Sequence, residues 1–392
     1  MATKIEAIWG MLVADSLSMP VHWFYRPPDI KRLYNGWITT YRPPCIRHPS
    51  CILSLSATDG SGRHGASKPS APIIGNIILH DKLKYWQSND RGTHYHQGMA
   101  AGDSTLNSLC SLRVLQTLRR VDAAGQNPSA ETRAAVMADY VEFMTTPGTH
   151  NDTYAESFHR LFFKDWSMCS SPPKAAAELL TFAETRSNDM LGKPEDGQLP
   201  SIGAFVMAVP WIVHYSHLEE NECVKNVVDF VKLTHPVKTL VPYLEAYARM
   251  LRDVCNGKNL KDSITQVLSS GLYDQTVTKK IINYNKMVLE FETGSEEQIE
   301  AYQEAVADLG LPCYIKGAMS SMLLLALTFH DNCEAGLLMN ANVGGECCHR
   351  GAALGALLGA AAGQTTGVPD HLKQALGTGG KMYASILAAS SS

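Results

Sequence analysis

The sequence predicts an all-α fold, on three observations. Apolar residues recur at helical spacing, as Leu106, Leu109, Leu112 and Leu115 do. The apolar–polar alternation of a half-buried strand is almost absent. Near the C-terminus Gly351, Gly355, Gly359 and Gly363 recur every four residues. That period lines them along one face of a helix. Each glycine costs a helix interior about 1 kcal/mol against alanine, so a helix carrying four must gain something else. The gain expected here is the close approach of another backbone. A transmembrane glycine zipper would show the same stripe, but the uncharged run from Gly351 is too short to span a bilayer.

Taken in order, residues 4–17 form the first expected helix. Lys4, Glu6 and Asp15 interrupt its apolar positions, which separates it from a secretion signal, and Pro20 ends it. Residues 41–90 are rich in Pro, Ser, Gly and His and hold no helical period. So long a loop is usually functional or disordered, and its tip, residues 55–72, reads as mobile. Helical spacing then marks residues 104–118, 130–144, 152–163, 173–183, 202–215, 220–233 and 237–254. It continues over 262–269, 276–291, 314–329 and 333–339. The glycine-faced helix, 345–362, should be buried and central, and 369–388 closes the series. Nothing suggests a second domain, so residues 1–392 are read as one domain with a loop-rich insertion at about 41–95.

Composition supports a soluble, cytoplasmic protein. The chain has 392 residues, 45% hydrophobic and 18% charged, with a net charge of −4. That suffices for a large core. No basic tract favours nucleic acid, and no apolar run is long enough to cross a membrane. Ten cysteines are scattered without CxxC pairs, which fits free thiols in a reducing compartment. The adjacent Cys347 and Cys348 point about 100° apart on a helix, so as a pair they suit packing better than one shared metal ion.

Four polar clusters sit before apolar helices. They are Asp15 with Ser16; Asp103 with Ser104 and Thr105; His150 with Asn151 and Asp152; and Gly344 with Gly345, Glu346 and His349. The Gly-Gly turn suits a phosphate or carboxylate. The His150–Asp152 cluster suits a sugar or base. Ordinary helix capping accounts for each of them as well. Convergence in space would separate the two readings.

In this order on an all-α chain, the segments resemble the ADP-ribosylglycohydrolase family. Residues 14–22, beginning Ala14-Asp15-Ser16-Leu17, occupy the family's Gly-Asp-Ala-Leu-Gly-x-Pro-x-Glu motif. Ile202-Gly203-Ala204 stands for its Asn-Gly-Ala segment, and Thr234-His235 for its Thr-His pair. Gly344-Gly345-Glu346 and the glycine row stand for its Gly-Gly-Asp-x-Asp-Thr motif and small-residue helix. The runs at 149–160 and 344–351 are most similar to the branch that includes J1-type crystallins of jellyfish.

The resemblance implies hydrolysis of a glycosidic bond at the ribose of an ADP-ribose conjugate, attached to a small molecule or a protein. The family uses two Mg²⁺, and here its ligand motifs have eroded. Gly102-Asp103-Ser104 replaces Asp-Asp-Thr, Cys348 replaces an aspartate, His349 a threonine and His22 a glutamate. Mg²⁺ wants several oxygens in octahedral array. Asp103, Ser104 and Glu346 would serve one weakly bound Mg²⁺ at most, and no metal is the leading expectation. The resemblance then implies Asp103, Glu346, His349 and His22 as catalytic groups. Asp15, Ser104, His150, Asn151, Asp152, Gly344 and Gly345 are the implied substrate contacts. Two other readings remain open: a non-catalytic ADP-ribose or nucleotide binder, and a structural protein of the crystallin kind.

Overall fold

The computed structural model describes residues 2–59, 72–88, 90–126, 128–197, 199–377 and 383. Among these, 17 α-helices and three short 3-10 turns form one compact all-α domain. No strand is present among the described residues, only isolated bridges such as Phe24 with Gly345.

The glycine-faced helix is Cys347–Ala362, and every residue from Cys347 to Ala360 is buried. Its partner is the first helix, Ala2–Ser18, whose residues from Ala7 onward are all buried. The two backbones touch. A Cβ on Gly355 would lie 2.1 Å from the Gly10 carbonyl oxygen, and one on Gly10 would lie 1.9 Å from the Gly355 carbonyl oxygen. A Cβ on Gly359 would meet the Glu6 carbonyl oxygen at 2.2 Å, and one on Gly363 the Thr3 Cα at 2.7 Å. The stripe therefore trades helix propensity for closeness to a second helix, as its period predicts. On its other sides the glycine helix packs against Gly203–Tyr215, Val241–Cys255, Ile315–Thr328 and Cys333–Asn342. Tyr247 donates to its Ala353 carbonyl at 2.9 Å.

Most expected helices are present, with shifted ends. The one expected over 152–163 starts later, as Ser157–Ser167, because Asp152–Glu156 run extended and spend their side chains on the interior. A helix not anticipated from sequence, Glu296–Leu309, starts at Ser295, whose hydroxyl accepts from the Gln298 amide. Ser295 with Gln298 is a capping-box pair that could have revealed it. Pro28–Tyr34 and Leu83–Trp86 are also helical. Of the helix expected over 369–388, Asp370–Ala375 is present, and most of the rest lies outside the described residues. The same holds for most of the loop tip at 55–72.

The loop-rich stretch at 41–95 is not an appendage. It lays Tyr41, His48, Trp86, His94 and Tyr95 into the interior, all buried. No helix among the described residues is long and apolar enough to cross a membrane. All ten cysteines are free thiols.

Candidate functional site

The site is built on the start of one helix, Leu106–Val121, whose first backbone groups lack intrahelical partners. Three carboxylates from two places, the first helix and the extended run 152–156, reach its opening residues. Asp15, from the first helix, accepts from the Thr105 amide at 2.6 Å and its hydroxyl at 2.7 Å. Asp152 accepts from the Leu106 amide at 2.8 Å. Glu156 accepts from the Asn107 side-chain amide at 2.6 Å. The helix dipole favours negative charge there. Ser16 and Ser104 share a hydrogen bond at 3.0 Å beside them.

A chain of buried side chains runs on from Asp152. Its Oδ1 is 2.7 Å from His96 Nδ1. His96 Nε2 is 2.7 Å from His22 Nδ1, and His22 Nε2 is 3.0 Å from Glu346 Oε1. Glu346 also caps the glycine helix by accepting from the His349 amide. Its Oε2 accepts from the Trp23 indole at 2.6 Å. His349 Nδ1 lies 2.9 Å from Glu346 Oε1 and 3.6 Å from Glu156 Oε1, off the line of an ideal hydrogen bond to either. Gly203 leaves room for Glu156: a Cβ there would fall 1.8 Å from the Glu156 Oε2.

Trp23 is held in an unusual way. Its φ of 61° is a region that bulky side chains rarely adopt. Its amide donates to the Gly345 carbonyl at 2.8 Å, and the Gly345 amide donates to the Phe24 carbonyl at 2.9 Å. This two-way pairing with the Gly-Gly turn aims the indole at Glu346. Trp23→Phe would leave Glu346 Oε2 without that donor in a dry place. An expected loss of about 1–3 kcal/mol follows, measurable as a lower denaturant midpoint; an unchanged midpoint would remove the indole from the account.

These environments drive the charges apart. Burial raises Glu156, and the neighbouring Glu346 adds to this. Burial also pushes Glu346 upward, but His22 and His349 outweigh it and hold Glu346 well below the usual carboxylate range. Burial would lower His349, yet Glu156 and Glu346 prevail and lift it to about 10. Asp15 is raised to about 6 by burial, against its two bonds from Thr105. The arrangement holds one imidazole toward its charged form between Glu346, kept ionised, and Glu156, whose affinity for a proton is raised.

The clusters read from sequence come together only in part. Asp15, His22, Asp152, Glu346 and His349 join one buried network, with Ser104 at its edge. Asp103 is half-buried, accepts from the Ala100 amide at 2.8 Å, and shares no hydrogen bond with Glu346. His150 turns away toward Phe143. Asn151 is exposed, accepting from Lys82 and donating to the Gly98 carbonyl. Gly344 and Gly345 are buried, and the amides of Gly345 and Glu346 serve the Phe24 and Leu311 carbonyls. Sequence reading missed Trp23, His96 and Glu156. The alternation His94-Tyr95-His96 was the available signal for His96.

The Mg²⁺ that the family resemblance implies would find a poor set of donors here. Asp15 and Asp103 use oxygens on backbone amides, and both oxygens of Glu346 are engaged. Among the described residues, the His, Cys, Asp and Glu groups close enough to share an ion are His22, His96 and Cys348, or His22, Glu346 and His349. Both sets are poor in oxygen, whereas Mg²⁺ takes octahedral oxygen ligands.

One pocket of about 340 Å³ adjoins the network, lined by Trp23, Tyr95, Tyr154, Arg160 and Tyr314 among others. The Trp23 ring packs edge-on against both Tyr95 and Tyr154. Arg160 is buried, bonded to Ser157 and lying over Trp86. Tyr25 and Tyr314 are partly exposed at this pocket.

Among curated proteins no match to the chain is found. One solved structure similar to it is titled an ADP-ribosylglycohydrolase-related protein complex; it is 15% identical, with 98% of this chain and 96% of that one covered and a TM-score of 0.49. The family profile described as ADP-ribosylglycohydrolase matches residues 4–390, nearly the whole chain, and the protein belongs to that family.

Proposed function

We propose that the protein hydrolyses the glycosidic bond at the ribose of an ADP-ribose conjugate without the family's paired Mg²⁺. The observation that supports this best is the placing of Glu346 and Glu156 on either side of His349, behind a pocket whose wall, Trp23, is bonded to Glu346. Glycoside hydrolysis passes through an oxocarbenium-like state and uses two carboxyl groups in different protonation states. Glu156, whose affinity for a proton is raised by burial, suits the acid that protonates the leaving group. Glu346, kept ionised, suits the carboxylate that stabilises the sugar cation or activates water. His349 balances the charge between them, and His22 orients Glu346. Glu156 thus takes the role that the sequence motif suggested for Asp103. In the pocket, tyrosine rings offer stacking for a base, and the Arg160 guanidinium offers charge to a pyrophosphate.

A second reading has its own support. Glu156, Glu346 and His349 are all buried, and Trp23 stands between Glu346 and the pocket, so turnover from this pocket requires its wall to open. If Trp23 stays, the pocket binds ADP-ribose and turns nothing over.

The experiment is incubation with ADP-ribosylated peptides and with small ADP-ribose conjugates, with free ADP-ribose followed by chromatography. Release without added Mg²⁺ is expected, and Glu346→Gln or Glu156→Gln should slow it by a factor of about 10²–10⁴. Activity that appears only with Mg²⁺ would contradict the mechanism. Binding of ADP-ribose with no turnover would establish the second reading instead.

A further inference from the structure

His22, His96 and Cys348 place their ligating atoms within 4.8 Å of one another, and all three are buried. The two imidazoles meet edge to edge. Their facing nitrogens are 2.7 Å apart, their planes differ by 13°, and their centroids are 5.0 Å apart. The outer nitrogen of each ring is already committed to a carboxylate: His96 Nδ1 to Asp152 and His22 Nε2 to Glu346.

Counting protons exposes the conflict. The line Asp152–His96–His22–Glu346 contains three contacts, and each needs a hydrogen to be attractive. Two neutral imidazoles carry only one N–H each. If both N–H groups point outward to the carboxylates, as a carboxylate acceptor requires, both inner nitrogens present lone pairs to each other. Something positive between them resolves this. A third proton would do so by adding an imidazolium to a fully buried cluster that already holds the His349 charge. A metal ion would do so while leaving both rings neutral.

The surroundings suit an ion of one kind. Cys348 brings sulfur to the same point, and its side chain packs with Met19 and Met99 in a small buried cluster of their own. Nitrogen and thiolate ligands select Zn²⁺ or Cu⁺ and disfavour Mg²⁺. The two carboxylates on the outer ring nitrogens are the partners that metal-bound histidines ordinarily have: they fix the tautomer and raise ligand basicity. The adjacent Cys347 takes no part. Its thiol faces the Ser18 carbonyl at 3.4 Å, as divergent neighbours on a helix must.

We infer that His22, His96 and Cys348 form a buried site for a thiophilic d10 ion, Zn²⁺ or Cu⁺, in place of the family's Mg²⁺ pair. On binding, the Cys348 thiol loses its proton to solvent and the thiolate joins the ion; no electron is transferred. With bonds of about 2.0–2.1 Å in tetrahedral array, the two nitrogens would stand roughly 3.3 Å apart. The rings therefore part by about half an ångström when the ion enters.

The test uses the full chain, refolded or dialysed with Zn²⁺, with Cu⁺ under reductant, or with Mg²⁺, followed by desalting and elemental analysis. Wild type should retain about one equivalent of Zn²⁺ or Cu⁺ and no Mg²⁺, and one of the first two should be preferred, which names the ion. Cys348→Ser and His96→Asn should each retain at least tenfold less under the same washing. X-ray absorption of the loaded wild type should show one sulfur and two imidazole nitrogens, a reading that stands even if the variants do not fold. Failure of wild type to retain either ion overturns the inference. So does full retention by a folded Cys348→Ser, or an absorption spectrum without sulfur. None of these readouts depends on turnover, so hydrolase activity stands or falls separately.

Discussion

Gly355→Ala is expected to destabilise the protein by about 3 kcal/mol or more, although alanine is the better helix former. Propensity alone would favour the change by roughly 1 kcal/mol. Against it stands a backbone atom: the new Cβ would lie 2.1 Å from the Gly10 carbonyl oxygen and 2.7 Å from the Ala14 Cβ. No side-chain rotation relieves contact with a main-chain oxygen. The two helices must separate, and everything packed on them loosens. Overpacking a tight core ordinarily costs about 1–3 kcal/mol, with larger values where the neighbours cannot yield. Gly192 supplies the control. A Cβ there has nothing nearer than 3.5 Å, and its φ of −77° is open to any residue, so Gly192→Ala should be neutral or slightly stabilising. The comparison is read from denaturant midpoints. If Gly355→Ala and Gly192→Ala melt alike, the helix contact is looser than described.

The same glycine row explains how much of the fold is legible in the sequence. A stripe with a four-residue period can serve only one purpose in a buried helix, so it announces both the helix and a close neighbour. It does not name the neighbour. Ala2–Ser18 shows its own half of the contact as a single residue, Gly10, and one glycine is not a pattern. The candidate site divides along a similar line. Asp15, Glu346 and His349 sit in motif-like clusters at helix ends, where local sequence places them. His96 and Glu156 come from a loop and from an extended segment before a helix, and nothing periodic marks either. What brings them in is long-range: Glu156 meets Asn107 and Gly203, and His96 meets His22. Asp103 shows the converse. The sequence resemblance puts it at a motif position, but its carboxylate turns to the Ala100 amide three residues back, a local bond.

Acid should unfold the protein steeply below about pH 6.5. Four buried histidines are built to stay neutral. His159 donates to Asn107 Oδ1 at 3.0 Å and accepts from the Tyr140 hydroxyl at 2.6 Å. His94 donates to the Pro20 carbonyl and accepts from the His96 amide. His48 donates to the His22 carbonyl and accepts from the Ser50 amide. His235 packs at a tilt against the Phe158 ring, with Arg186 adding positive charge nearby. Burial holds His94, His159 and His235 well below the ordinary imidazole range and pulls His48 to about 4. When the chain unfolds, each returns to about 6.5. Below that pH the unfolded state therefore binds protons that the folded state refuses. The stability these rings contribute is complete above about pH 6.5 and is lost as pH falls toward their folded values. Each subtracts about 1.4 kcal/mol per pH unit in that window. Asp15, raised to about 6 by burial, and Glu156, raised likewise, work in the opposite sense and offset part of the slope. His22, pulled to about 4 mainly by burial, adds a fifth ring to the loss, and a net loss of about 4 kcal/mol per pH unit remains, large against the ordinary 5–15 kcal/mol of a folded domain. Denaturant unfolding at several values between pH 7 and 4.5 gives the slope directly. His159→Gln keeps a donor and an acceptor but cannot titrate, so its slope should be shallower by about 1.4 kcal/mol per pH unit. A wild-type stability that is level across this range, or a His159→Gln slope equal to wild type, would show that these rings do not govern the acid limb.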